Sequence, residues 1–205
     1  MNRKWITPLF LTAVVLVPIS VFAVVIWLES RYQSLPVLGP PGHTVGEFAF
    51  TDQTNSNYTG KNWNGRMVVA NYFFTHCPVV CPKITTQLKR LQTAVGKEVV
   101  ICSFSVDPLR DSSARLSQYA EQFGIDKGWK LLTGNKKELY RFARNELQLV
   151  VTDGDGGPDD FIHSENLVLI DGRKRIRGYY KGTDEKEVTR LIADINKLKK
   201  EPNAN

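Results

Sequence analysis

Apolar positions are spread very unevenly along this chain. Residues 6–28 (ITPLFLTAVVLVPISVFAVVIWL) run without one charged side chain. As a helix rising ~1.5 Å per residue, that run covers about 35 Å, against the ~30 Å of a bilayer hydrocarbon core. Pro8 and Pro18 fall inside it, and a membrane helix tolerates proline better than a soluble one. Trp5 and Trp27 sit near its ends, where interfacial aromatics belong, and Arg3 and Lys4 put residues 1–5 on the cytoplasmic side. The pattern predicts one membrane-crossing anchor over 6–28. The alternative is a cleaved signal peptide ending at Val21-Phe22-Ala23, which would leave the apolar residues 24–28 on the mature chain. Either way the rest of the chain lies outside the cytoplasm. The start lacks the Arg- and Ser-rich amphipathic character of an organelle transit peptide, which points to a bacterial inner membrane with the soluble part in the periplasm.

Beyond the run the pattern changes. Residues 29–47 hold Pro36, Pro40, Pro41 and three glycines, and read as a semi-extended tether. Residues 48–205 read as a single domain. Residues 48–50 with the Asn-rich turn at 55–57 suggest a short hairpin. Residues 67–74 (MVVANYFF) and 98–106 (EVVICSFSV) are dense apolar runs of strand length, as strands buried on both faces should be. Helical spacing appears over 84–95, 112–123, 136–145 and 184–200, with Asp111 the expected N-cap of the second. Asp171-Gly172 between residues 161–170 and 174–180 is a hairpin signal. Strand–helix–strand, then helix, hairpin and closing helix describes a thioredoxin-like α/β fold with a parallel centre.

Composition narrows the function classes. The chain has 205 residues, 27 Lys+Arg against 21 Asp+Glu, and 42% hydrophobic positions, an ordinary globular balance that excludes wholesale disorder. Three cysteines are too few for a disulfide-stapled miniprotein. The basic tail at Lys197, Lys199 and Lys200 lacks aromatic interleaving, so no nucleic-acid partner is expected.

The chemistry sits where the 67–74 strand meets the next helix, in Thr75-His76-Cys77-Pro78-Val79-Val80-Cys81-Pro82. Thiols spaced i, i+4 face the same way on a helical segment, about 5–6 Å apart at Cβ, and can close on a soft cation. The helix N-terminus favours thiolate, and the prolines stiffen the turn. Thioredoxin-type oxidoreductases place two residues between their cysteines; here there are three, a spacing that favours a chelate without forbidding a Cys77–Cys81 disulfide in an oxidising compartment. A pair of inert core cysteines is the bland alternative. Two thiolates leave a metal under-coordinated, and three histidines are available. His43 reads as a solvated loop residue, and His76 points away from its neighbour Cys77. His163 lies beside a Gly-rich loop at a strand edge, where it could reach the cysteines or be satisfied by backbone hydrogen bonds. Two thiolates and an imidazole would suit copper(I) and keep copper(II) feasible, while zinc also accepts that set. Cys102 reads as a buried, inert thiol, and residues 153–157, with Asp153 and Asp155, lack the third carboxylate and terminal Glu of a calcium loop.

The chain resembles the Sco/SenC family of membrane-anchored copper proteins that assist cytochrome c oxidase assembly. The resemblance runs from about residue 46 to 200. It rests on the block from Tyr72 to Pro82, which looks like the family's Cys-Pro-x-x-Cys-Pro signature, and on Ser105-Val106-Asp107-Pro108-Leu109-Arg110-Asp111. Trp129 with Leu132-Thr133-Gly134, and His163-Ser164, complete it in the same order. It implies Cys77, Cys81 and His163 as copper ligands, a thioredoxin-like fold with an inserted β-hairpin, and a single-pass anchor. It also implies a copper-accepting oxidase subunit and a thiol–disulfide reductant as partners. The chain departs from many family members at Val79 and Ile162, where Asp is common, so the local field is less negative and a contact made there differs. The competing reading is an enzyme on the same fold, a thiol–disulfide oxidoreductase or thiol peroxidase acting on periplasmic cysteines. A dithiol reductase has no need of His163. A peroxidase would want one accessible, acidic cysteine with an activating Thr and Arg nearby, and Thr75 is a weak candidate for that Thr.

Overall fold

The computed structural model describes residues 6–32, 34–149 and 164–201, with side chains of the first stretch described from 14 to 27. It divides into two units, residues 1–34 and 35–205. In the first, helix α1 spans Ile6–Tyr32, four residues beyond the uncharged run, with Pro18 inside it. Its described apolar side chains, from Val14 to Trp27, are all exposed. Among the described residues no helix is long and apolar enough to cross a membrane.

The second unit is a seven-stranded sheet in the order β2-β1-β5-β4-β3-β6-β7, with helices on both faces. Its centre is β3 (Met67–Phe73) parallel to β4 (Val99–Ser105), which in turn is parallel to β5 (Trp129–Thr133). Every residue of β3 and β4 is buried. Alternation sends Met67, Val69, Phe73, Val99 and Ile101 to one core, and Val68, Ala70, Tyr72, Val100, Cys102 and Phe104 to the other. The first core is covered by α2 (Val80–Val95), α3 (Ser113–Phe123) and α5 (Glu185–Leu198). The second is covered by α4 (Lys136–Arg141), the π-helical turn Phe142–Glu146 that continues it, and an aromatic cluster of Phe48, Phe50, Trp63, Phe104 and Phe142. Hairpins finish both edges: β1 (Ala49–Asp52) with β2 (Asn57–Thr59), and β6 (Asn166–Ile170) with β7 (Ile176–Lys181). This is the thioredoxin-like arrangement. The expected inserted hairpin is not found among the described residues, and residues 150–163 lie outside them.

Three expectations need correction. The N-cap of α3 is Ser112, whose hydroxyl accepts from the Arg115 N–H at 3.3 Å, and not Asp111, which turns inward. Strand β5 was not anticipated, because Lys130 interrupts a short apolar run; its ammonium reaches the buried Asp52 carboxylate at 2.7 Å and so fits inside the sheet. Burial pushes Asp52 up, but the bonds from Lys130, Thr54 and Ser56 outweigh it and hold the carboxyl at about 2. Finally, the tether read over 29–47 packs against the domain from Leu35 onward. Leu38 bridges to Ile176, the Val45 N–H donates to the Lys174 carbonyl at 2.8 Å, and the His43 ring is 2.9 Å from the Glu146 carbonyl.

The same region contains the most deeply buried ion pair among the described residues. Asp171, the expected turn residue of the β6–β7 hairpin, is fully buried and lies 2.9 Å from Arg177, itself only 3% exposed. Arg177 also donates to the carbonyls of Leu35 and Pro36 and to Glu201, while the Leu35 N–H donates to Glu201. Entry strand, hairpin and C-terminal tail thus share one guanidinium. Removing one partner of a buried pair strands the other charge. Asp171→Ala should therefore destabilise the chain by about 3–5 kcal/mol in urea unfolding followed by tryptophan fluorescence. A loss below about 1 kcal/mol would show that the network is solvated.

Candidate functional site

Strands β3 and β4 end side by side, with Phe73 opposite Ser105 and the Val106 N–H donating to the Phe73 carbonyl at 2.9 Å. The loops that follow carry the two sequence blocks, and the buried Asp111 holds them together. Its carboxylate accepts from the Thr75 N–H at 3.3 Å, the Thr75 hydroxyl at 2.6 Å and the Ser105 hydroxyl at 2.6 Å. Arg115 Nε donates to the Thr75 hydroxyl at 3.2 Å, and His76 Nδ1 lies 3.1 Å from that same oxygen. His76 is therefore turned toward Thr75, the residue before it. The Asp107–Asp111 turn is closed by its own backbone bonds, and the Asp107 N–H caps onto Ser105 Oγ at 3.0 Å. The hydrogen-bonded set of Asp111, Thr75, Ser105 and Arg115 that shapes the turn is one that local sequence reasoning did not assemble. Thr75 is 36 positions from Asp111 and 40 from Arg115, so periodicity along the chain gives no sign of those contacts, while Ser105 and Asp111 stand six apart within one quoted block.

From Thr75 the chain turns, with the Cys77 N–H on the Phe74 carbonyl at 3.3 Å, and enters α2 at Val80. Val79 stands at the N-cap position and has no side-chain acceptor to offer. The Cys77 sulfur supplies one: the Cys81 N–H donates to Cys77 Sγ at 3.2 Å. Pro82 falls in the first turn of the helix, where the missing N–H would have had no intrahelical partner. Cys77 is half-buried and Cys81 is buried, both as free thiols.

The two sulfurs differ in acidity. Burial pushes the Cys77 thiol up, but hydrogen bonds from the Cys81 backbone and side chain and from the Val79 and Val80 N–H groups outweigh it, so it ionises below the ordinary 9.0. Burial pushes Cys81 up to about 12, with a backbone bond at Phe74 opposing and Cys77 and Asp111 adding to the rise. Cys102 is likewise pushed up to about 12 by burial, 3.8 Å from the Tyr58 hydroxyl in the second core, as an inert thiol should be.

A cavity of about 250 Å³ opens at the pair, lined among others by Phe74, Cys77, Val80, Cys81, Ser164 and Glu165. The structure therefore brings the Cys77–Cys81 turn and the start of β6 to one hollow. Glu165 is braced there by the Thr183 hydroxyl at 2.6 Å and by the Gly182 N–H on its carbonyl at 2.8 Å. His163 lies outside the described residues, as do residues 153–157. Among the described residues no group of three or more His, Cys, Asp or Glu side chains is placed to hold a metal ion.

A thioredoxin-like domain with one acidified and one buried thiol at the first parallel strand-to-helix turn defines a class of thiol-dependent redox and metal-handling proteins. Within that class, the chain belongs to the SCO1/SenC family, whose model matches residues 38–200. A SCO1 protein homolog of Bacillus subtilis (strain 168) is 28% identical over 161 residues, spanning 76% of this chain and 83% of that relative. The structure of BsSco, described as a member of the Sco family of cytochrome c oxidase assembly proteins with a disulfide switch, is similar at a TM-score of 0.66 and 26% identity. It covers 80% of this chain and 97% of BsSco. Bradyrhizobium japonicum ScoI with copper bound is similar at a TM-score of 0.58 and 25% identity, over 72% of this chain and 97% of that one.

The unequal thiols give a direct expectation. Alkylation of the reduced chain by iodoacetamide between about pH 6 and 9, read by mass spectrometry, should modify Cys77 first, with a rate midpoint below 9.0. Cys81 and Cys102 stay protonated through that window and should remain unmodified. Equal labelling of Cys77 and Cys81 would contradict the assignment.

Proposed function

We propose that this chain is a membrane-anchored copper carrier that holds copper through Cys77, Cys81 and His163 and assists assembly of the copper site of cytochrome c oxidase. The observation that carries the reading is the shared hollow: Ser164, one chain step of ~3.8 Å from residue 163, lines the same cavity as both cysteines. The donor chemistry fits. Thiolate sulfur is soft, as copper(I) prefers, an imidazole keeps copper(II) acceptable, and Cys77 is already inclined to give up its proton. Membership in the SCO1/SenC family and the copper-bound relative support the same cargo.

Copper is the cargo here, and the chain's own residues prepare for it. Asp111, through Thr75, fixes the path of the loop, and the first turn of α2 aims N–H groups at Cys77 Sγ. Cys81 keeps its proton in the buried position until a ligand displaces it. If the two thiols instead lose two electrons and two protons to an oxidant, a Cys77–Cys81 disulfide forms and no thiolate remains to bind. A partner dithiol then restores them by exchange: its thiolate attacks the disulfide, its second thiol resolves the mixed disulfide, and the partner leaves oxidised. One observation favours a second reading as a thiol–disulfide oxidoreductase. An accessible acidic thiol beside a buried, poorly acidic one is the division of labour between attacking and resolving cysteines.

We assign residues 6–28 as a single-pass anchor in a bacterial inner membrane, with residues 1–5 cytoplasmic and the domain periplasmic. Support comes from the uncharged run, its continuity within one helix and the exposure of its described apolar side chains, which in water would be unfavourable. An alkaline carbonate wash of membranes should leave the chain in the pellet, and release to the supernatant would remove the anchor from the account.

Copper(I) titration of the reduced full-length chain in detergent, against a competing chelator, tests the ligand set. Cys77→Ser and Cys81→Ser should each weaken binding by more than the ~10–100-fold that altered supporting contacts cost at metal sites, and His163→Ala by at least ~10-fold. Unchanged affinity in His163→Ala would shift the conclusion to the oxidoreductase.

A further inference from the structure

The surface around the dithiol is unlike the rest of the domain. Among its described residues, the large hydrophobic side chains left exposed are Val37, Val79, Val80 and Leu109. Scattered single exposures are ordinary, but Val79 and Leu109 stand on the two loops that Asp111 stitches together, and Val80 opens the helix that follows the first of them. Leu109 is 90% exposed at the tip of the Asp107–Asp111 turn, and Val79 is 69% exposed between the cysteines. Both loops leave the same end of adjacent parallel strands, so their tips share one rim.

Among the described residues, the exposed cations of this rim are Lys83, at the start of α2, and Arg110, 71% exposed beside Leu109. The neighbouring carboxylates among the described residues are paired or buried. Asp107 is 18% exposed and 3.5 Å from Arg110, Asp111 is fully buried, and Glu165 is held by Thr183 and Lys181. The hydroxyl-rich groove between Thr54 and Ser117 carries no charged lining and no such apolar cluster.

We infer that Val79, Val80 and Leu109, flanked by Lys83 and Arg110, form the docking rim for the copper-accepting protein, whose contact surface is apolar at its centre and acidic at its margin. The inference rests on the carrier reading: cargo held at Cys77 passes to acceptor thiols only if the acceptor covers the loops on either side. Apolar burial at the centre supplies affinity, and the cations steer a negatively charged margin into register. The rim residues act by positioning the partner and touch no reacting atom.

The test measures docking without metal. Binding of the reduced, copper-free full-length chain in detergent to the soluble copper-site domain of the oxidase subunit from the same cell is followed by titration calorimetry. Leu109→Ser and Val79→Ser should each raise Kd at least about fivefold, as truncating an interface anchor does, while Leu109→Met restores wild-type binding. Arg110→Glu should slow association more at low ionic strength than at high. Copper affinity of Leu109→Ser should equal that of the wild type. Wild-type Kd in both serine variants overturns the proposal, as does self-association of the chain that Leu109→Ser abolishes. A wild-type chain that docks but binds no copper refutes the carrier reading and leaves the rim supported.

Discussion

One buried carboxylate holds the working end of this domain together. Parallel strands can lie side by side in a sheet while the loops beyond them go separate ways, since nothing in the ladder reaches past the last backbone hydrogen bond. Asp111 supplies what the ladder cannot. It gathers the Thr75 N–H, the Thr75 hydroxyl and the Ser105 hydroxyl on two oxygens, and it does so out of water. A buried charge without such partners would be costly, so the loops are constrained to supply them. Everything chemically interesting follows from that constraint: the direction of the turn after Thr75, the entry of α2, and the place of the first sulfur at its head.

That sulfur has two tasks at once. With Val79 at the N-cap, α2 has no oxygen to meet its leading N–H groups. Cys77 accepts one of them, and the charge that would stabilise the helix start is the same charge that a soft ion or a disulfide partner would use. The helix end and the thiolate therefore stabilise each other, and the burial of Cys81 keeps the second thiol from competing. The asymmetry is a property of position within the turn, not of the cysteines.

Much of this was legible in the chain. Strands at 67–73 and 99–105 announce themselves because burial on both faces demands unbroken apolar runs, and the cysteines stand at the joint between strand and helix, where periodicity changes. What local reading could not see is non-local. Asp111 looks like a helix cap because it precedes Ser112, and only the adjacency of two strand ends turns it inward. Lys130 masks β5 because its partner Asp52 is seventy-eight residues away. The prolines and glycines of 35–47 suggest a free tether, yet Leu35 and Val45 find apolar partners and their backbone groups find Arg177 and Lys174. His163 was reached through family resemblance, and it lies beyond the described residues.

The grip of Arg177 on the carbonyls of Leu35 and Pro36 sets a limit on how the chain can be shortened. A protease that cuts upstream of Ser34 would release a domain with its guanidinium still satisfied. A cut after Pro36 would strip two acceptors from a cation that has almost no access to water, and the shed fragment would begin its free life already weakened at the seam between its first and last residues.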